Sequence, residues 1–170
     1  MFLGHGASGS AASMTPFVDG LLVRRVAATA IDLPKRRAED ALPAFHLVVP
    51  SQPDVVVGGH SFGGRVASLA AAEPDAPYAA LVLFSYPMHP PGQPDRAAAR
   101  VAHFPAIRCP VLLLSGESDP FARIELLRAA VPTIGGPAEL VTFPRLGHTL
   151  KPVLAEVLDR TAAFLATLGA

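Results

Sequence analysis

The sequence predicts a doubly wound α/β fold built on a mostly parallel sheet of about six strands. Short aliphatic runs alternate with longer segments of helical period. The aliphatic runs lack the apolar and polar alternation of a half-exposed strand, which indicates strands that are buried on both faces. The chain has 170 residues, of which 51% are apolar, enough for one buried core and too few for two ordinary domains. We therefore expect residues 1–170 to form a single domain.

The predicted elements follow one another in βα order. A first strand is left with only "MFL" before the first glycine, and five further strand-like runs lie at 26–31, 54–58, 80–84, 111–114 and 138–143. Segments long enough for crossover helices lie between them at 15–25, 37–49, 64–72 and 120–131. The closing segment carries an apolar stripe of helical period from Leu150 to Leu168. The proline-rich stretch 86–96 is expected to be a connecting loop.

Composition and charge exclude several functions. Lysine plus arginine and aspartate plus glutamate number 14 each, so no strongly basic face is available for a nucleic-acid backbone. The single cysteine, Cys109, excludes a disulfide framework and a multi-cysteine metal site, and we expect it to be a small buried apolar side chain. No apolar run approaches the ~20 residues of a membrane helix, and "MFLGHGASGS" has no features of a signal peptide. The sequence thus predicts a cytoplasmic protein without nucleic-acid or membrane partners.

The segment "GHSFG" (59–63) fits the pattern G-x-S-x-G between a predicted strand and a predicted helix. A serine at the tip of so sharp a turn adopts a sparsely populated backbone conformation, and side chains two positions before and after it would clash. Gly59 and Gly63 remove those side chains. Neither a dinucleotide-binding G-x-G-x-x-G nor a phosphate-binding loop with lysine before Ser or Thr is present. The pattern therefore favours Ser61 as a nucleophile over an incidental serine in a glycine-rich turn.

A nucleophilic serine needs a general base and an acid that orients the base. "SGESDP" supplies Asp119 after the fifth strand, and "RLGHTL" supplies His148 after the last. The carboxyl ends of parallel strands share one edge of the sheet, where such folds bind ligands. Alternatives stay open: Asp119 before Pro120 is also suited to cap a helix, Glu117 is the reserve acid, and His148 is otherwise a loop histidine bonded to backbone.

These residues resemble the α/β-hydrolase superfamily over nearly the whole chain. The runs "GGHSFGGRVAS", "LVLFSYPMHPPG" and "CPVLLLSGESDPF" most resemble its small dienelactone-hydrolase-like branch, which includes hydrolase-like proteins related to a subunit of a histone-acetylation complex. The resemblance implies Ser61 as nucleophile, Asp119 as acid and His148 as base. It also implies an oxyanion hole formed by the backbone amides of Ala7 and Phe62.

The resemblance further implies a substrate pocket in a fold of reduced size. The expected pocket residues are His5, Gly6, Tyr86, Met88, His89 and Phe121. We expect a minimal α/β-hydrolase fold that lacks the usual first two strands and any lid domain, with a shallow pocket for small acyl groups. We also expect either that the chain begins upstream of Met1 or that the exposed sheet edge is covered by a loop or a partner subunit, as in a homo-oligomer.

The expected function is that of a serine hydrolase of the carboxylesterase or thioesterase type. It would cleave a small ester or thioester through an acyl-enzyme intermediate, with no cofactor or metal. Dienelactone hydrolases use cysteine as nucleophile, whereas this turn has Ser61, so their substrate does not carry over. A cofactor-free perhydrolase would use the same residues. The rival from another class is a retired hydrolase fold that serves as a binding or scaffold module, which the presence of all three triad candidates disfavours.

Overall fold

Six parallel strands form a single sheet in the computed structural model, which describes residues 1–169. The strands are β1 (Phe2–Gly4), β2 (Thr29–Ile31), β3 (Val56–His60), β4 (Ala80–Phe84), β5 (Val111–Gly116) and β6 (Ala138–Phe143). Their spatial order is β2-β1-β3-β4-β5-β6, and every neighbouring pair is parallel. The chain leaves β1 toward one side and continues from β3 toward the other, so the strand order reverses between them. The predicted doubly wound α/β class is confirmed.

Helices cover both faces of the sheet. They are α1 (Thr15–Val23), α2 (Ala38–Val48), α3 (Phe62–Ala71), α4 (Ala97–Val101), α5 (Ile124–Ala130) and α6 (Leu154–Leu168). Alternate residues of β4 enter two apolar clusters: Leu81 and Leu83 pack with residues of α2, α3 and α5, whereas Val82 and Phe84 pack with residues of α1 and α6. All five residues of β4 are buried, as expected for a central strand of a parallel sheet.

The sequence placed most elements within a few residues of their observed positions. The largest differences are at two helix starts: α5 begins at Ile124, with Arg123 as its N-cap, rather than near Pro120, and α6 begins at Leu154 rather than at Leu150. The connection between β4 and β5 contains the five-residue α4 and short 3₁₀ turns, so it forms no lid within the described chain.

The exposed edge expected near the start of the sheet is β2. This strand has three residues, of which Thr29 is exposed and Ile31 is buried. That a loop or a partner subunit covers this edge stays a prediction. Among residues 1–169, no helix has the length and apolar character needed to cross a membrane.

Candidate active site

Ser61 occupies the tight turn between β3 and α3. Its backbone angles, φ 52° and ψ −110°, lie outside the regions that residues with a Cβ atom ordinarily populate. The turn is tight because α3 starts directly against β1: a Cβ at Gly63 would clash with the backbone of Gly4. A Cβ at Gly59 would clash with Gly4 as well, and would lie 2.9 Å from the carbonyl carbon of Gly63. The two glycines therefore permit both the turn and the approach of α3 to the sheet.

Backbone hydrogen bonds fix this turn to its neighbours. The amide of Ser61 donates to the carbonyl of Phe84 at the end of β4 (2.9 Å), and the amide of Gly63 donates to the carbonyl of His5 after β1 (2.9 Å). Within the described chain, the amides of Phe62 and Ala7 have no hydrogen-bond partner. Both residues line a cavity that also includes Ser61. Two residues with free N–H donors thus line the same cavity as the serine, one after β1 and one after β3, between which the strand order reverses.

His148 and Asp119 form a hydrogen-bonded pair at the carboxyl ends of β6 and β5. Nδ1 of His148 lies 2.8 Å from Oδ2 of Asp119, and the other carboxylate oxygen accepts a hydrogen bond from the amide of Phe121 (2.8 Å). With Nδ1 donating to the carboxylate, Nε2 of a neutral His148 is left as an acceptor. This is the tautomer that a general base requires.

The alternatives for the acid are not supported by the contacts. The N-cap of α5 is Arg123, so Asp119 does not cap that helix. One carboxylate oxygen of Glu117 accepts hydrogen bonds from Arg128 (2.7 Å) and from Thr142 (2.8 Å). The Glu117 carboxylate therefore bonds to Arg128 and Thr142 and not to His148.

The imidazole of His148 lies between two other rings. Its centroid is 4.5 Å from that of Phe121 and 5.1 Å from that of His60. Nε2 of His60 lies 3.2 Å from the main-chain carbonyl of His148, and burial lowers the pKa of His60, which therefore donates this bond as a neutral ring. Among the contacts of residues 1–169, no hydrogen bond joins the hydroxyl of Ser61 to His148.

The cavity beside Ser61 has a volume of about 830 Å³ and is open to solvent. This volume is in the upper part of the range typical of small-molecule sites, and the expectation that the pocket is shallow and takes small acyl groups stays a prediction. Of the residues that the sequence placed at the site, Ala7, Ser61, Phe62, His89 and Phe121 line the cavity. His89 is held by the amide of Arg123, which donates to its Nε2 (3.1 Å).

Four of the predicted pocket residues, His5, Gly6, Tyr86 and Met88, are not among the residues that line this cavity. Tyr86 and Met88 are buried in the core, and the hydroxyl of Tyr86 donates to the carbonyl of Arg100 (2.8 Å). His5 is buried and accepts a hydrogen bond from the amide of Leu33 (3.0 Å), while Gly6 lies against His60. His5, Tyr86 and Met88 are buried and Gly6 is half-buried, and a role for these four residues in substrate binding stays a prediction.

Sequence reasoning missed a group of arginines at the cavity. Along with one acidic side chain, Glu39, the cavity is lined by Arg36, Arg37, Arg65, Arg96 and Arg100. They come from three separate stretches, "PKRRAED", "GGRVAS" and "PDRAAAR". Each stretch follows β2, β3 or β4, so their position after strand ends was the signal that pointed to the site.

Comparisons with known proteins agree with this fold. The family model described as an alpha/beta hydrolase domain matches residues 3–165. The chain therefore belongs to the alpha/beta-hydrolase family. A search of curated proteins found no match.

Many solved structures share the fold. The monoacylglycerol lipase of Paleococcus ferrophilus is similar with a TM-score of 0.83 at 15% identity, over 98% of this chain and 93% of that one. Est1E from Butyrivibrio proteoclasticus, solved with ferulic acid bound, is similar with a TM-score of 0.77 at 18% identity, over 98% and 88%. A dienelactone hydrolase from Anabaena variabilis is similar with a TM-score of 0.68 at 24% identity, over 98% and 84%. At these identities the likeness shows the fold.

Proposed function

We propose that the protein is a serine hydrolase that cleaves an ester through an acyl-enzyme intermediate. The observation that carries the proposal is the position of Ser61: it lies on a strained turn beside an open cavity, and a paired His148 and Asp119 lie at the ends of nearby strands. The proteins of similar fold named above include a lipase and a dienelactone hydrolase, which supports an ester as the substrate class.

In the acylation step, Nε2 of His148 takes the proton of the Ser61 hydroxyl while the serine oxygen bonds to the ester carbonyl carbon. The negative charge that develops on the carbonyl oxygen is stabilised by the free amides of Ala7 and Phe62, the second of which also lies at the positive end of the α3 dipole. Asp119 holds the ring and stabilises the imidazolium. The bond to the alcohol oxygen then breaks, and that oxygen takes the proton from His148.

In the deacylation step, His148 removes a proton from water as the water oxygen bonds to the acyl carbon. Collapse of the second tetrahedral intermediate breaks the bond to Ser61, whose oxygen regains the proton, and the acid leaves. A thioester would follow the same steps with a thiol as leaving group. The hydrogen bond from Ser61 to His148 must form for this chemistry, and we expect substrate binding to bring the two groups together, since catalytic hydrogen bonds often tighten only in the substrate complex.

Covalent labelling with a fluorophosphonate tests the nucleophile without the natural substrate. We expect one adduct on the peptide that contains Ser61, read by mass spectrometry, and none in Ser61→Ala. Ser8→Ala is the matched control, since Ser8 is an exposed serine next to Ala7, and it should label like the wild type. A folded wild-type protein that the fluorophosphonate never labels would contradict the proposal and favour the hypothesis of a binding or scaffold module.

A further inference from the structure

The cavity beside Ser61 has an unbalanced charge. Five of the 14 cationic side chains of the protein line it, whereas only one of the 14 acidic side chains does. The chain as a whole is neutral, so the excess of positive charge belongs to this site. From this imbalance we infer that the enzyme selects esters that also carry an anionic carboxylate or phosphate group. That the substrate is an ester rests on the proposed function, whereas the anion-binding site rests on the arginines alone.

One arginine is built into the wall. Arg65 is 9% exposed and donates to the carbonyl of Arg100 (2.9 Å), to Glu39 (2.6 Å) and to the hydroxyl of Tyr86 (3.4 Å). Glu39 also lies 3.7 Å from Arg37. The only carboxylate of the cavity is therefore shared by two guanidinium groups and has no capacity to neutralise the others.

Three arginines remain without a carboxylate partner. Within residues 1–169, Arg36, Arg96 and Arg100 form no ion pair, and the only hydrogen bond from their side chains is from Arg96 to the amide oxygen of Gln93 (3.0 Å). Arg100 is partly buried, and this burial together with the nearby charge of Arg65 lowers its pKa. A group whose cationic form is disfavoured in this way gains stability when an anion binds beside it.

The chemistry of the guanidinium group indicates the type of anion. It is planar and presents paired N–H donors that match the two oxygens of a carboxylate or phosphate, and such charge-assisted pairs are about twice as strong as neutral hydrogen bonds. The remaining wall includes Pro87, Pro90, Pro91 and Phe121, which suits the carbon chain between an ester and a distal anionic group.

The kinetic test compares two esters that differ only in charge, 4-nitrophenyl hydrogen glutarate and its methyl-capped form. We expect kcat/KM to favour the anionic ester by about tenfold or more, since a hydrogen bond to a charged group contributes about 1.5–3 kcal/mol. The ratio should fall when ionic strength rises from about 0.01 M to about 1 M, where the screening length shortens from about 30 Å to about 3 Å. Equal rates for the two esters would overturn the inference.

Substitution of two cavity arginines tests whether they cause the preference for the anionic ester. The double variant Arg96→Gln with Arg100→Gln keeps the main-chain carbonyl that anchors Arg65 and Tyr86, and should lower the anionic-to-neutral ratio about tenfold. The matched control is the double variant Arg25→Gln with Arg160→Gln, which also removes two positive charges, from exposed residues outside the cavity; it should leave the ratio unchanged. If both variants lower the ratio to the same extent, the effect comes from the overall charge and the inference fails.

A binding measurement separates this inference from the proposed function. Calorimetry with Ser61→Ala uses methyl hydrogen glutarate and methyl phosphoglycolate as carboxylate and phosphate probes, and dimethyl glutarate as the uncharged control. Binding of one or both charged probes alone supports the anion site and identifies its preference, even if the wild type proves not to hydrolyse esters. Equal binding of all three probes, or none, overturns the anion site, even if Ser61-dependent hydrolysis is observed.

Discussion

Nδ1 of His148 lies 2.8 Å from Oδ2 of Asp119, whose side chain has no exposed surface, whereas 22% of the His148 side chain is exposed. The buried carboxylate accepts one further bond, from the amide of Phe121. This arrangement fixes the ring by its inner nitrogen and leaves the outer one accessible. A pair of this kind suits the proton transfer that the proposed mechanism assigns to His148.

The identity of the acid can be tested by isosteric substitution. We expect Asp119→Asn to lower turnover of a neutral ester by about 10⁴, since the amide holds the histidine in the wrong tautomer. Glu117→Gln is the matched control, because Glu117 pairs with Arg128 instead, and it should change turnover by less than about threefold, as surface ion pairs are worth little. Steady-state kinetics on folded variants measures both. A larger loss of turnover in the Glu117 variant than in the Asp119 variant would show that Glu117 is the acid of the triad.

The close approach of α3 to β1 predicts a large effect at one glycine. Gly63→Ala places a Cβ against the backbone of Gly4, which cannot move without separating the helix from the sheet. We expect the free energy of unfolding, from urea titration, to fall by about 1–3 kcal/mol or more. Gly169→Ala, where a Cβ meets no atom within 4 Å, should change it by less than about 0.5 kcal/mol. A Gly63→Ala variant as stable as the control would show that the turn relaxes freely.

The fold was predictable because its central strands are buried on both faces and because Gly59 and Gly63 mark the tight turn at Ser61. Runs 80–84 and 138–143 match the observed strands: the first is an uninterrupted apolar segment, and the second lies between two prolines, Pro137 and Pro144. The start of α5 was not predictable from Asp119 and Pro120, because the Asp119 side chain bonds to the amide of Phe121 and to His148 instead of capping a helix.

The arginines of the cavity were missed for a different reason. Arg36, Arg65 and Arg100 are 29 and 35 residues apart along the chain, and only the sheet brings them to one cavity. The near-zero net charge of the sequence hid their clustering, because the compensating acidic residues lie mostly elsewhere. Local patterns show which residues end strands, but not which of them turn toward a shared space.

Ser85 has a buried hydroxyl that satisfies no hydrogen bond. The residue follows β4, has no exposed surface and a positive φ of 50°, and within the described chain its Oγ has no partner. Because a buried hydroxyl without a partner costs about 1–3 kcal/mol, Ser85→Ala should raise the free energy of unfolding by about 1 kcal/mol. Urea titration against Ser68→Ala provides the control, since Ser68 is also buried but bonds to the carbonyl of Arg65 (2.8 Å), and its loss should destabilise. A destabilised Ser85→Ala variant would indicate that the hydroxyl is bonded through water.

Acid should destabilise the protein through His103. Burial, with the nearby charge of Arg65, lowers the pKa of His103 to about 4, and its Nε2 lies 2.9 Å from the hydroxyl of Ser68. In the unfolded chain an ordinary histidine titrates near 6.5, so between about pH 6.5 and pH 4 the unfolded state binds a proton that the folded state does not. The stabilising contribution is therefore complete above about pH 6.5 and is lost as the pH falls toward 4. After a discount for partial exposure, the loss between pH 7.5 and 4.5 should be about 1 kcal/mol.

The contribution of His103 is measured by urea unfolding at both pH values in the wild type and in His103→Gln, which retains a donor but does not titrate. We expect the fall in stability on acidification to be smaller in this variant by about 1 kcal/mol. His46→Gln is the control, because His46 lies on the surface of α2, 2.9 Å from Glu73 and away from the buried contact between His103 and Ser68. If the acid sensitivity arises at His103, His46→Gln should lose as much stability on acidification as the wild type. If His103→Gln loses as much stability as the wild type between the two pH values, the acid sensitivity arises elsewhere, and His60, whose pKa burial also lowers, becomes the residue to substitute next.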